Sequence, residues 1–143
     1  MGSSVPEIVD GRNPAALIVV SSVMAHTAHI EPSDKTWTVT RNGTVVARTS
    51  SAVMVHEHYN GKDLPPVPYI PPSDVEVELT GPTGHSTSCP VKGTAGYYSV
   101  DLGDGSADEL ADSVWFYPEP ISPLEPIAGY VSFYGDRYDI TAS

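Results

Sequence analysis

The chain has 143 residues, enough for one ordinary hydrophobic core that buries roughly 70% of the surface its unfolded form exposes. Eighteen Asp plus Glu against seven Lys plus Arg give a net charge of −11, which repels phosphate backbones and anionic headgroups and argues against nucleic-acid and membrane partners. Fourteen prolines leave little room for long helices, and the single cysteine, Cys89, excludes an internal disulfide or a zinc site of paired cysteines and fits a reducing, cytoplasmic setting.

Residues 1–25 read as an N-terminal extension to a single domain over 26–143. Their apolar run, Ala15 to Val20, is too short to span a bilayer and follows Glu7 and Asp10, so it suggests neither a membrane helix nor a signal peptide. His29 to Pro32 forms a first short strand. Trp37 to Thr40 alternates around Val39, and Asn42-Gly43 links it to Thr44 to Ala47, because a type I′ turn needs positive φ at both central residues. Ala52 to Tyr59 is a third strand. The segment Leu64 to Pro72 is extended but poor in ladder bonds, since proline removes backbone donors. Val75 to Leu79 alternates apolar and acidic residues as a half-buried strand does. Tyr97 to Leu102 and Ser113 to Tyr117 form a hairpin pair, with one helical turn at Ala107 to Ala111 between them. A short helix follows over Leu124 to Gly129, with Ser122 as N-cap and Pro123 at its first position. Tyr130 to Tyr134 returns as a strand. The fold class is therefore mainly β, a single domain of antiparallel sheets with one or two short helices.

Glu57 is the carboxylate of most interest. Alternation puts Val53, Val55, Glu57 and Tyr59 on one strand face, so core-facing valines turn Glu57 inward, where it needs a partner or a raised pKa. His56 and His58 share the other face with Ala52 and Met54. They form an H-x-H pair without a third ligand, read as exposed, so no metal site is assigned. Cys89 is a candidate nucleophile whose thiol Lys92 would activate, although no motif supplies a histidine base. His85 lies in a Gly-Pro-Thr-Gly-His loop able to fold over a pocket. No cofactor is called for.

Thr87-Ser88-Cys89-Pro90-Val91-Lys92-Gly93-Thr94-Ala95-Gly96-Tyr97, Trp115-Phe116-Tyr117-Pro118-Glu119-Pro120 and Ile127-Ala128-Gly129-Tyr130-Val131-Ser132-Phe133-Tyr134 follow one another in this order. Together they resemble the domain of unknown function 427 family, over about residues 29–140. The resemblance implies a β-tent architecture, two antiparallel sheets leaning over a cleft. By analogy with that fold, Glu57, Tyr69, Lys92, Trp115 and Tyr117 line the cleft and hold a small polar or planar molecule. Where relatives have an acid after the hairpin, this chain has Arg48, which implies either a different ligand or an ion pair with Glu57 or Asp74. Members sometimes carry a nucleotidyltransferase-like label. That chemistry needs paired carboxylates for Mg²⁺, and Gly105-Ser106-Ala107-Asp108 is a poor imitation in a turn between strands.

The expected function is small-molecule binding in an aromatic cleft that contains Glu57, with Glu57 as acid or base if the domain is an enzyme. One alternative is a hydrolase or isomerase acting through Cys89 or His85. Another is a non-catalytic interaction module that docks or homodimerises through a sheet edge or an aromatic patch.

Overall fold

The computed structural model describes residues 26–143. The readings made for residues 1–25 lie outside them. The described residues form three antiparallel sheets and two single 3-10 turns.

In the first sheet β1 (His26–Pro32) pairs with β4 (Val53–Tyr59), which also pairs with β5 (Lys62–Asp63) and β6 (Val67–Tyr69). In the second, β10 (Val131–Phe133), β9 (Val114–Phe116), β8 (Gly93–Tyr98) and β7 (Ser86–Cys89) lie in that order. The third orders β11 (Asp139–Ala142), β2 (Trp37–Arg41) and β3 (Thr44–Thr49).

The β2–β3 hairpin turns on Asn42 at φ 50° and Gly43 at φ 81°, as its sequence demands. A register shift follows at Val39/Thr40, where Val39 opposes Ala47 and Thr40 opposes Val45. This bulge lets the neighbours Val46 and Ala47 both be fully buried, against strict alternation. A second Asn-Gly turn, Asn60 at φ 52° and Gly61 at φ 80°, joins β4 to β5.

The middle sheet has two apolar faces. Val114 and Phe116 of β9 join Val39, Val46, Ile70, Val100, Leu110 and Phe133 in one core cluster. The intervening Trp115 and the following Tyr117 turn to the other cluster, with Val55, Tyr69, Ala95, Tyr97, Leu124 and Ile127. Period-two alternation along one strand thus supplies side chains to both cores.

Three expectations change. Val75 to Leu79 is not a strand: Val75 bridges Ala47 and Thr80 bridges Ser99 in isolation, while the side chains of Val75, Val77 and Leu79 still pack on the first cluster. The alternation reported burial rather than a ladder. The segment Leu64 to Pro72 does contain a strand, β6, with Pro68 opposite Met54. The Pro68 carbonyl accepts from Ser132 Oγ at 2.7 Å, so that residue's backbone polar groups point away from β4 and the missing N–H breaks no bond to it. The helix after Ser122 is a single 3-10 turn, Glu125–Ile127, with Leu124 rather than Ser122 at the N-cap position and no side-chain cap, and Pro123 precedes rather than starts it.

Candidate functional site

Cys89 and Gly93 face each other at the end of the β7–β8 hairpin, and Pro90, Val91 and Lys92 form its tip. Lys92 N–H donates to the Cys89 carbonyl at 3.3 Å, and Gly93 at φ 116° closes the turn with a backbone that side chains rarely allow. The tip leans on the β1–β4 pair, where Lys92 Nζ donates to Glu57 Oε1 at 2.7 Å.

Glu57 faces the second cluster along with Val53 and Val55, as strand alternation requires. Its other oxygen, Oε2, lies 2.6 Å from His26 Nε2. Ala28 is the residue opposite Glu57, so His26, two positions along β1, is its diagonal neighbour on the same face. Side-chain exposures of 18% for Glu57, 17% for Lys92 and 21% for His26 leave all three reachable from water but mostly enclosed. Burial pushes the Glu57 carboxyl up, while hydrogen bonds and charge from Lys92 and His26 outweigh it and hold the carboxyl below its ordinary range. Glu57 is an anion at neutral pH, an acceptor or base and not an acid.

The Cys89 sulfur, a ring nitrogen of His26 and a carboxylate oxygen of Glu57 lie within 4.8 Å of one another. Cys89 thus has a histidine neighbour from β1, which no motif around the cysteine announces. His26 is the site residue that sequence reasoning missed.

The aromatic residues are mostly floor rather than wall. Tyr69 and Tyr117 are 1% and 5% exposed and belong to the core. Burial raises both phenols far above the ordinary tyrosine value, so both stay neutral. Trp115 is half-buried and donates Nε1–H to Tyr69 Oη at 2.9 Å. Lys92 Nζ lies 6.0 Å from the Tyr117 ring centroid. Beside them the hydroxyls of Thr87 and Tyr97 are 2.8 Å apart, and Tyr134 Oη donates to Tyr97 Oη at 3.4 Å. Burial, then the bond to Tyr97, pushes the Tyr134 phenol up to about 12.

Two sequence candidates lie outside the Glu57 cluster, His85 at the edge of the aromatic group and Arg48 on another sheet. His85 is exposed and packs its ring on Tyr97 at 4.4 Å between centroids. Arg48 is exposed on β3 and, among the described residues, pairs with neither Glu57 nor Asp74; Asp74 instead accepts from Thr49 Oγ1 at 2.7 Å. The nearest imitation of a phosphate turn closes on itself, with Ser106 N–H and Oγ both donating to Asp104 Oδ1. Among the described residues the groups of three metal-ligating side chains each contain histidine, and none pairs two carboxylates.

The family model described as a domain of unknown function (DUF427) matches residues 29–143. The chain belongs to the DUF427 family. No curated protein matches it. The three motifs meet in space: Tyr134 Oη of the third reaches Tyr97 Oη of the first, and the Tyr134 ring packs on Trp115 of the second with centroids 4.6 Å apart. His26 lies outside the DUF427 match, three residues before its start. No helix among the described residues is long and apolar enough to cross a membrane.

Proposed function

We propose that this DUF427 chain is a small-molecule-binding domain whose site is the side-chain cluster of Glu57, Lys92, His26 and Cys89, with Tyr69, Tyr117 and Trp115 beside it. The observation that carries the proposal is the Glu57 carboxylate held by Lys92 at 2.7 Å and His26 at 2.6 Å. Enclosing an ion pair costs desolvation that a packed apolar trio would avoid, so stability alone is a poor reason for it.

The ligand chemistry follows from the groups left over. Lys92 has three N–H donors and gives one to Glu57, and His26 keeps a second ring nitrogen. A small polar molecule with a carbonyl or carboxylate beside a planar ring satisfies these groups and rests against Trp115. If the site turns over its ligand, Glu57 serves as base or as the anchor that orients Lys92 and His26, because its lowered pKa removes it as a proton donor.

The test is Glu57→Gln, which keeps the shape and removes the charge. The variant is expected to stay folded and to lose at least tenfold in ligand affinity, measured by calorimetry with a hit from a metabolite panel. Unchanged affinity overturns the proposal.

A second reading is supported by the Cys89 sulfur lying near His26, itself bonded to Glu57. A thiol, an imidazole and a carboxylate gathered in one cluster are the groups that a cysteine nucleophile with an oriented base uses. Fast alkylation of Cys89 that slows at least tenfold in His26→Ala favours it. The interaction-module alternative needs a contiguous apolar patch, and the exposed large apolar side chains among the described residues are Tyr59, Leu64 and Ile121.

A further inference from the structure

We propose that His29, Glu31 and His56 form a surface site for a divalent transition-metal ion that favours imidazole nitrogen, of the zinc, nickel or copper class. The site lies apart from Glu57, on the opposite face of the β1–β4 pair. Residues 29 and 31 alternate onto one face of β1, and His56 stands directly opposite His29 on β4. The sequence pairs His56 with His58, but His58 Nδ1 is 2.7 Å from Asp63 Oδ1 and is engaged there. The chelating partners come from the neighbouring strand instead.

The donor geometry is close to what a metal needs. Glu31 Oε2 lies 3.0 Å from His56 Nε2 and 3.9 Å from His29 Nε2, and all three donor atoms fall within 4.8 Å of one another. Bonds of about 2.0–2.2 Å to a tetrahedral ion place its donors roughly 3.3 Å apart, between those two separations. The imidazoles stack with centroids 4.9 Å apart and planes 8° from parallel, so a modest turn of each ring aims both nitrogens at one point. Side-chain exposures of 68%, 58% and 31% for His29, Glu31 and His56 leave room for that turn without moving the backbone.

Two histidines and one carboxylate leave coordination positions open. Glu31 and His56 also line a groove of 380 Å³ with Lys35, Trp37, Met54 and Pro66. The chain's net charge of −11 concentrates cations at its surface. Magnesium and calcium, which prefer all-oxygen shells, are excluded by the two imidazoles.

The experiment is a titration of the full chain with Co²⁺ and Zn²⁺, followed by calorimetry and by the Co²⁺ absorption spectrum. One equivalent is expected to bind without a thiolate-to-metal charge-transfer band. Affinity falls at least tenfold in His29→Ala and in His56→Ala and is unchanged in His58→Ala and Cys89→Ser, while each variant keeps the parent melting temperature without metal. Absence of binding overturns the proposal. So does binding that survives both His29→Ala and His56→Ala, or that shows a thiolate band lost in Cys89→Ser, which moves the ion to the Cys89, His26 and Glu57 group.

Discussion

Replacing Lys92 by Met removes the ammonium from Glu57 Oε1 while keeping a side chain of similar length. Exposed ion pairs contribute about 0–1 kcal/mol, whereas breaking a fully buried pair costs about 3–5 kcal/mol. Lys92 and Glu57 are 17% and 18% exposed, and His26 still holds the second carboxylate oxygen, so the pair falls between these limits. The expected loss is about 2 kcal/mol at pH 7. For a domain of this size that lowers the melting temperature by about 6–10 °C. The Glu57 pKa is depressed in the folded state, so its stabilising contribution is present above the ordinary carboxyl value of 4.5 and is lost as the pH falls through the folded value. The difference between parent and Lys92→Met should therefore shrink toward acid. Denaturant unfolding at a series of pH values reads both quantities. A loss below about 0.5 kcal/mol at pH 7, the scatter usual for surface changes, refutes the reasoning, as does a difference that grows toward acid.

Gly96→Ala places a Cβ 2.8 Å from two ring atoms of Phe116, which is itself stacked on Tyr98, so overpacking should cost about 1–3 kcal/mol in thermal unfolding, with part recovered in Gly96→Ala combined with Phe116→Leu. Thr49→Val removes a buried hydroxyl that donates to Asp74 and accepts from Ser51 N–H, and about 0.5–1.5 kcal/mol should be lost by denaturant unfolding, because half-buried Asp74 and exposed Ser51 can turn to water. The Tyr134 phenol is raised to about 12 by burial and its bond to Tyr97, so the ultraviolet difference titration between parent and Tyr134→Phe should be flat through pH 10 and rise only toward pH 12. A step near the ordinary tyrosine value of about 10 contradicts that placement.

How much of this was legible in the sequence follows from which forces are local. The Asn42-Gly43 hairpin was legible because its turn chemistry is contained in two residues. Asn60-Gly61 carries the same signal for β4 and β5. The inward turn of Glu57 was legible from alternation alone. Its partners were not, since the Lys92 contact depends on how the β7–β8 tip meets another sheet. His26 was missed because its strand begins three residues before the family pattern, although pairing β1 with β4 and taking the diagonal neighbour of Glu57 places it. Val75 to Leu79 misled because burial alternates there without a partner strand to form a ladder. Arg48 was tied to the site by a departure from the family pattern, and such a departure carries no direction in space.

The claim that the Glu57, Lys92 and His26 group receives a small molecule is tested most directly by mapping NMR chemical-shift changes of the labelled chain against a panel of small carboxylates and cyclic metabolites. The account predicts saturable shifts centred on His26, Glu57, Cys89, Lys92 and the Trp115 indole N–H, and absent in Glu57→Gln. Saturable shifts centred elsewhere, such as the 640 Å³ groove beside Gly93, Gly96 and Phe116, with Glu57 and Lys92 unmoved, would contradict it.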